Sequence, residues 1–448
     1  MQIRQISVTG LFGIFDHVIP LNTDEHITII HAPNGFGKTI ILRMLNDFFK
    51  SRYSIFRSIP FSCFQIELDN GNIFNVMKVY DDSGNNFTLN FNFFEINSEA
   101  RTFFLGNSRN IDDMEAILET IEGTIPAIRR LSPDLWRDMT TGEHLSSEKM
   151  IERFEDFLPI ELRTKEEPLW LQELKQNIYI RLIESQRLLN GDITYSKSRS
   201  STMVPTVSTY AKEIAQSIQS KLAEYGKTSQ ALDRTFPARV MNRKLSSALT
   251  DEQLRQQLDK LELIRTRLIE AGLLDKGDNS DFQIQDKQHI DDGTKNILSI
   301  YIEDVRIKLE IFSEISNKLD LLRRIINNKF AYSYKKMSFD KDKGFVFKAQ
   351  YSQTLSSNIE TILPTDLSSG EQYELVLLYE LLFKVHPNSL VLIDEPELSL
   401  HVGWQAQFLK DLEEIAKLAD LNILIATHSP DIIQDRWDLT VELKGLAT

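Results

Sequence analysis

The 448-residue sequence is poor in the residues that mark secreted and membrane-spanning proteins. Its single cysteine, Cys63, allows no disulfide within the chain and no cysteine-based zinc site. No run of about 18 apolar residues occurs, so no transmembrane helix is predicted. The segment from Met1 to Thr9 has one arginine and no long apolar run, unlike a signal peptide. We therefore expect a cytoplasmic protein without membrane association.

Positive charge is scarce relative to negative charge. The formal net charge is −14 and the sequence pI is about 5.2. A strongly acidic surface repels nucleic acid unless basic residues gather on one face. This balance argues against a protein that coats DNA, although it leaves open a local basic groove. Internal repeats and low-complexity tracts are also absent, and the length predicts two or three domains of about 150 residues.

Hydrophobic periodicity gives the first part of the chain a mixed α/β character. Apolar residues at helical spacing predict a helix from Lys38 to about Phe49. Alternating apolar and polar residues over 61–105 predict antiparallel hairpins. Residues 111–175 are predicted to be mostly helical, and a short strand is expected at 178–183.

The middle of the chain is predicted to be helical over 210–328. Gly226, the dipeptide Phe236-Pro237 and the polar stretch 276–293 are expected to interrupt it. Two long helices could then form an antiparallel hairpin, too short and interrupted for a long coiled-coil arm. A strand is expected at 344–351.

A phosphate-binding loop is predicted at residues 32–39, Ala-Pro-Asn-Gly-Phe-Gly-Lys-Thr, which follow an apolar strand and precede a helix. Lys38 is expected to neutralise β- and γ-phosphate oxygens, and the Thr39 hydroxyl to ligate Mg²⁺. The usual pattern has glycine in place of Ala32, which fits if the backbone there stays at negative φ. A chance glycine-rich turn is the alternative. Three further loop residues are candidates for ATP binding through their backbone: Asn34, Gly35 and Gly37.

An apolar strand, residues 389–393, ends in two carboxylates, Asp394 and Glu395. A continuously apolar strand is typical of a buried parallel sheet, whose ligands bind at the carboxyl ends of the strands. Asp394 is therefore predicted to hold Mg²⁺ through water, and Glu395 to orient or deprotonate an attacking water. A strand ending in an acidic turn is the alternative.

Two further motifs flank the acidic strand. A second apolar strand at 422–427 ends at His428, which could reach the γ-phosphate, although a lone histidine is more often structural. Residues 367–372, Leu-Ser-Ser-Gly-Glu-Gln, precede a helix predicted from Tyr373 to Phe383, and a simple helix cap would also explain them.

The order of these motifs resembles that of the ABC-type ATPase heads of the SMC and RecF families. The resemblance implies an α/β P-loop fold, an ABC-ATPase head with an antiparallel β subdomain and an inserted short helical hairpin. It makes 367–372 the signature, with Ser368 and Gly370 contacting the γ-phosphate bound by a second copy. It places the D-loop at 397–401, and Gln186 becomes the candidate glutamine-loop residue, facing Mg²⁺ and the attacking water.

The same resemblance implies an enzyme that converts ATP and water to ADP and phosphate with Mg²⁺, and a homodimer through shared ATP sites, with a higher homo-oligomer open. It divides the chain into the N-terminal part of the head at 1–200, a helical insertion at 201–335 and the C-terminal part of the head at 336–448. Phe12 and Phe15 could stack on the nucleotide base, but such residues are more often core.

A narrower resemblance rests on the sequence Asp-Glu-Pro-Glu-Leu-Ser-Leu-His at 394–401 and on the modest helical insertion. Both are similar to the ATPase subunits of anti-phage systems, among them PARIS, Septu and the OLD nucleases. This resemblance implies a nucleotide-gated scaffold that controls a separate TOPRIM-like nuclease effector and senses a phage-encoded trigger protein.

The competing interpretations are a RecF- or SMC-like DNA-repair ATPase and a scaffold that binds ATP without hydrolysing it. DNA binding would need a basic groove, for which the first hints are Lys197 with Arg199 and Arg323 with Arg324. Such charged pairs usually lie on solvated faces.

Overall fold

The computed structural model describes residues 1–81, 86–96, 98–106, 111–125, 127–139, 142–159, 167–184, 206–242, 250–275, 290–350, 361–398 and 400–445. The chain forms two compact units, which are described separately. The first contains Met1–Met203 with Lys384–Thr448, and the second contains Val204–Phe383. Within the described residues, no helix combines the length and the apolar character needed to span a bilayer.

The first unit contains most of the described strands, and the strands of both units are numbered together. In chain order they are β1 (Ile3–Leu11), β2 (Phe15–Pro20), β3 (Ile27–His31), β4 (Cys63–Leu68), β5 (Ile73–Tyr80), β6 (Phe87–Phe94), β7 (Arg101–Gly106), β8 (Ile128–Ser132), β9 (Leu135–Asp138), β10 (His144–Ser146), β11 (Ile180–Glu184), β12 (Lys335–Asp340), β13 (Gly344–Ala349), β14 (Thr361–Ile362), β15 (Leu390–Asp394), β16 (Asn422–Thr427) and β17 (Thr440–Glu442). Strands β12, β13 and β14 belong to the second unit.

Helices connect these strands and fill most of the second unit. In chain order they are α1 (Lys38–Phe49), α2 (Ser54–Ser58), α3 (Ile111–Thr124), α4 (Ser147–Phe154), α5 (Leu169–Gln176), α6 (Thr206–Asn242), α7 (Asp251–Glu270), α8 (Asp292–Glu310), α9 (Ser313–Phe330), α10 (Ser369–Tyr379), α11 (Val402–Ala419) and α12 (Pro430–Ile433). A π-helical turn, Glu380–Lys384, extends α10, and a 3₁₀ turn, Pro396–Leu398, follows β15.

The central sheet of the first unit is parallel and has the strand order β11-β15-β16-β3-β17. The four apolar residues of β15, Leu390 to Ile393, are all buried, as expected for a strand covered on both faces. Strand β3 lies between two strands from the far end of the chain, so both ends of the sequence build one sheet. The carboxyl ends of β3, β15 and β16 therefore meet at the same edge, as predicted.

A second sheet in the first unit is antiparallel, with the order β2-β1-β4-β5-β6-β7, and its later strands confirm the hairpins predicted over 61–105. Helix α1 spans the predicted residues and buries Ile41, Leu42, Leu45 and Phe48 in the core shared by both sheets. The Phe48 ring lies 4.4 Å from the ring of Phe74 on β5, which fixes the helix against the antiparallel sheet.

The helical prediction for residues 111–175 is only partly correct. A three-stranded antiparallel sheet, β10-β9-β8, lies between α3 and α4, and it buries Trp136 completely in a small separate core. These strands have three to five residues, which is too short for an alternating pattern to stand out among charged neighbours.

The second unit contains α6 to α10 and the small antiparallel sheet β12-β13-β14. The interruptions predicted at Gly226 and Phe236-Pro237 are wrong, because α6 continues through both. Proline removes a helical donor, and here side chains bond to the neighbouring carbonyl oxygens. Thr235 donates to the Ala231 and Leu232 carbonyl oxygens, and Arg239 donates to that of Leu232 at 2.9 Å.

Candidate nucleotide-binding site

The predicted phosphate loop joins the end of β3 to the start of α1. Gly35 and Gly37 have φ angles of 91° and 86°, in the left-handed region that glycine adopts readily. A Cβ atom on Gly37 would lie 2.5 Å from Cδ2 of Leu11, so the Leu11 side chain would have to move to admit one. Ala32 is buried and is not among the residues with positive φ, which meets the condition for alanine at this position.

Lys38 is the first residue of α1 and is only 4% exposed. Its Nζ atom donates hydrogen bonds to the carbonyl oxygens of Ala32, at 2.7 Å, and Pro33, at 3.1 Å. Burial lowers the pKa of Lys38, and the field of three carboxylates opposes this shift: Glu395, Glu397 and Asp394. A buried cation thus faces the acidic end of β15.

Thr39 and Asp394 are brought into direct contact across 355 positions of sequence. The Thr39 hydroxyl donates to Oδ1 of Asp394 at 3.1 Å. A hydroxyl and a carboxylate are both hard oxygen ligands, the type that Mg²⁺ takes together with phosphate oxygens and water. The two predicted metal ligands therefore lie where one ion could be shared between them.

Glu395 follows β15 with a strained backbone. Its φ is 44°, a region that few residues other than glycine occupy, and its N–H donates to the Ala426 carbonyl oxygen at 2.8 Å. Such strain is held only where the surroundings enforce it, and it concentrates at functional sites. The side chain is 25% exposed, so its carboxylate can be reached from solvent.

His428 follows β16 on the neighbouring strand. Its Nδ1 atom lies 3.0 Å from Oε1 of Glu397 and 4.0 Å from Oε1 of Glu395. The Thr427 hydroxyl, at 2.8 Å, and the His428 backbone N–H, at 3.0 Å, also donate to Oε1 of Glu397. The histidine and the predicted catalytic glutamate therefore lie together at the edge that carries the phosphate loop.

Glu397 was given no chemical role by the sequence beyond its place at the start of the predicted D-loop. It lies on the 3₁₀ turn after β15, and its side chain is 7% exposed. In the sequence, Glu397 could have been noticed as the third acid of the Asp-Glu-Pro-Glu run. Only the fold reveals that it points back to the end of β16.

The predicted signature residues belong to the second unit. Ser368 is the N-cap of α10 and forms a capping box with Glu371: Oγ of Ser368 accepts from the Glu371 N–H, and Oε2 of Glu371 accepts from the Ser368 N–H at 2.9 Å. Lys335 and Ser333 also donate to the Glu371 carboxylate. The motif therefore forms the helix cap that was the alternative interpretation, and Ser368 remains exposed.

Several residues singled out from the sequence are not among those that the structure describes. Gln186, Ser399, Lys197 and Arg199 lie outside the described residues. In the second unit, Arg323 donates to the Glu270 carbonyl oxygen and to Asp320, so an intramolecular role accounts for it.

The two phenylalanines considered for base stacking differ in their surroundings. Phe12 was expected to lie in the core, but it is exposed. Its ring lies next to Gly37. Phe15 packs against the core and stacks on Phe36 of the phosphate loop, with 5.1 Å between ring centroids.

The parallel sheet, its strand order and the loop at the end of β3 define an α/β P-loop NTPase of the ABC-head type. An antiparallel β subdomain and an inserted helical region complete this fold. Residues 144–434 match the family described as "AAA domain, putative AbiEii toxin, Type IV TA system". The match spans more than half of the chain, so the chain belongs to this family. It includes the acidic strand and His428, whereas the phosphate loop precedes it.

Two curated proteins match shorter segments. Over 86 residues the chain is 34% identical to "Protein ea59" of Escherichia phage lambda, covering 19% of this chain and 16% of that protein. Over 144 residues it is 25% identical to "Retron Ec83 probable ATPase" of Escherichia coli, covering 28% of this chain and 26% of that protein. The matches thus span about a sixth and a quarter of these relatives.

Among solved structures, the SMC head domain from Thermotoga maritima aligns with 8% identity and a TM-score of 0.33, covering 97% of this chain and 92% of that one. The Smc head domain of Pyrococcus furiosus, bound to the C-terminal domain of ScpA, aligns with 12% identity and a TM-score of 0.32, covering 96% and 91%. The assignment of fold rests on the strand order and the loop described above.

Proposed function

We propose that this protein binds ATP with Mg²⁺ at the edge formed by β3, β15 and β16, and hydrolyses it. The observation that carries the proposal is the convergence of Lys38, Thr39, Asp394, Glu395 and His428 at one edge of one sheet, with the Thr39 hydroxyl 3.1 Å from Asp394. The family description, an AAA domain, and the printed name of the retron relative, a probable ATPase, support the same activity.

In this mechanism each residue has a separate task. Lys38 neutralises the β- and γ-phosphate oxygens, and the phosphate loop adds its backbone N–H groups at the start of α1. Thr39 and Asp394 would hold Mg²⁺, which would supply charge neutralisation at the phosphates. Glu395 orients the attacking water and accepts its proton, and His428 contacts the γ-phosphate.

We further propose that hydrolysis works as a switch between copies of the chain. Ser368 and Gly370 of a second copy would close over the γ-phosphate, and hydrolysis would remove that bridge. ATP can drive such a switch only because it binds the closed pair more tightly than the separate copies. The output would be control of a separate nuclease effector in anti-phage defence, in response to a phage-encoded trigger.

The activity is tested with Glu395→Gln, which keeps the shape of the side chain and removes the base. We expect ATP binding to persist and turnover to fall about 100-fold or more. With ATP and Mg²⁺, light scattering should detect a dimer that persists longer than that of the wild type. Glu173→Gln, an exposed residue on α5, is the matched control and should turn over normally. Normal turnover by Glu395→Gln would refute the assignment.

The defence role needs a separate experiment. Cells carrying the gene with its genomic neighbours should form fewer phage plaques than cells carrying the Lys38→Ala version. Equal plaque numbers over a broad phage panel would remove the defence proposal and leave the ATPase proposal intact.

A further inference from the structure

Oε1 of Glu397 accepts two hydrogen bonds from the end of a neighbouring strand and lies close to the side chain of His428. The donors are the Thr427 hydroxyl at 2.8 Å and the His428 backbone N–H at 3.0 Å, and His428 Nδ1 lies 3.0 Å from the same oxygen. The carboxylate is almost fully buried, whereas the imidazole is 42% exposed. The buried group is therefore the fixed partner, and the exposed ring is the one that it orients.

We propose that Glu397 is a positioning residue for His428 in ATP hydrolysis, an inference that rests on the function proposed above. Bonding of Nδ1–H to the carboxylate fixes the tautomer and the ring orientation, as carboxylates do for metal-bound histidines. It leaves Nε2 as the ring nitrogen for the γ-phosphate. A contact with a phosphate oxygen requires Nε2 also to carry a proton, because that oxygen only accepts hydrogen bonds.

A second observation separates this role from a simple loop anchor. Among the described residues, Oε2 of Glu397 is buried and has no hydrogen-bond partner. A carboxylate kept only to tie two turns together would be expected to have both oxygens satisfied, because an unsatisfied buried acceptor destabilises the fold. The Glu397 carboxylate instead contributes to the field that opposes the lowering of the Lys38 pKa. The site thus uses its charge as well as its acceptor atom.

Both acids of this arrangement lie in the short segment that follows β15. Glu395 precedes the 3₁₀ turn Pro396–Leu398, and Glu397 lies within it. His428 Nδ1 is 3.0 Å from Glu397 and 4.0 Å from Glu395, so one short turn sets the histidine against the predicted base. A shift of the turn would move the base and the histidine together.

The test measures ATP turnover and histidine tautomer in the full-length protein. We expect Glu397→Ala to lower kcat about 10- to 100-fold, with a much smaller change in KM, as for other carboxylates that orient a histidine. Glu397→Gln keeps an acceptor but loses the charge, so it should recover part of this loss. His428→Ala should lower kcat similarly, and adding Glu397→Ala to it should cause little further loss.

Structural damage is separated by a second measurement. In protein with ¹⁵N-labelled histidine, the resonances absent from His428→Ala identify His428. We expect a protonated Nδ1 in the wild type and a shifted tautomer balance in Glu397→Ala. Thr427→Val, which removes another donor to the same oxygen, is the matched control and should preserve the tautomer. Additive losses in the double variant, or an unchanged tautomer in Glu397→Ala, would overturn the proposal.

Failure of the two proposals can be told apart. If the wild type hydrolyses ATP and Glu395→Gln does not, while Glu397→Ala matches the wild type, only the positioning role is wrong. If the wild type shows no turnover, the proposed function falls and this inference falls with it. The tautomer measurement then still reports whether Glu397 holds the ring.

Discussion

The phosphate-loop edge of the first unit and the start of α10 in the second unit differ in backbone strain and in how their charged side chains are paired. At the phosphate-loop edge, Lys38 is buried against backbone carbonyl oxygens and Glu395 has a φ of 44°. At the start of α10, Ser368 and Glu371 bond to each other, and Lys335 binds the same carboxylate. One region keeps backbone strain beside a buried lysine, whereas in the other the buried carboxylate is paired with a lysine.

This difference shows what each region is built for. Strain and uncompensated polar atoms lower stability, so they persist where binding or chemistry requires them. A capping box with an added lysine holds a helix start rigid, which suits the proposed role of Ser368 and Gly370 in contacting a second copy. Variants at the first region should therefore alter nucleotide handling, whereas variants at the second should first alter stability.

The largest effect is expected for Lys38→Ala. The variant removes the buried ammonium that is proposed to neutralise the phosphates, so the affinity for a fluorescent ATP analogue should fall about 100-fold or more, the equivalent of about 3 kcal/mol. Lys410→Ala on the exposed face of α11 is the matched control. Undiminished binding by Lys38→Ala would count against the phosphate loop.

Glu371→Ala should have the next largest effect, and on stability. Although burial raises the pKa of Glu371, hydrogen bonds from Lys335, Ser368 and Ser333 outweigh it and hold the pKa below 4.5. Removing this paired carboxylate should cost about 3 kcal/mol in urea denaturation at pH 7.

The contribution of Glu371 should also depend on pH. Because the folded-state pKa is depressed, the contribution is complete well above pH 4.5, the value expected for the unfolded chain, and disappears as pH falls through the folded-state pKa. The stability difference between wild type and Glu371→Ala should therefore narrow in acid. A difference independent of pH would contradict this account of the cap.

A smaller effect is expected for Gly37→Ala, which adds a Cβ at positive φ against Leu11. We expect a loss of about 2 kcal/mol in thermal or urea unfolding, together with weaker nucleotide binding. Gly123→Ala in α3 is the control, since a Cβ there meets nothing within 4 Å and alanine favours helix. Equal behaviour of the two variants would mean that the loop tolerates a side chain.

Ser368→Ala should have the smallest effect on stability. Loss of the N-cap costs about 1 kcal/mol, measured by urea denaturation. The exposed neighbour Ser369 is the control, and Ser369→Ala should change stability by about 0.5 kcal/mol or less. If Ser368→Ala also abolishes ATP-dependent dimerisation, the shared-site proposal gains support; unchanged turnover and dimerisation would contradict it.

The sequence was sufficient to predict features that depend on long periodic or fixed-spacing patterns. The phosphate loop, the limits of α1 and the buried strands of the central sheet belong to this group. Short elements were not predictable, because strands such as β10, with three residues, contain too little pattern to identify.

Other features depend on contacts between distant residues. Arg239, two residues after Pro237, donates to both carboxylate oxygens of Asp304 on α8, 65 positions away. The hydrogen bonds that Glu397 accepts from the end of β16 arise only when β15 and β16 pair. No local pattern encodes these contacts, so sequence reasoning could place Glu397 within a motif but could not give it a partner.

The position of β3 has a consequence for synthesis on the ribosome. This strand leaves the ribosome about 400 residues before its two neighbours in the sheet, β16 and β17. A nascent chain that has not reached residue 422 has no sheet in which to fix the phosphate loop. The proposed nucleotide binding therefore requires synthesis to have passed β17, and products truncated before it should not compete with finished molecules for ATP.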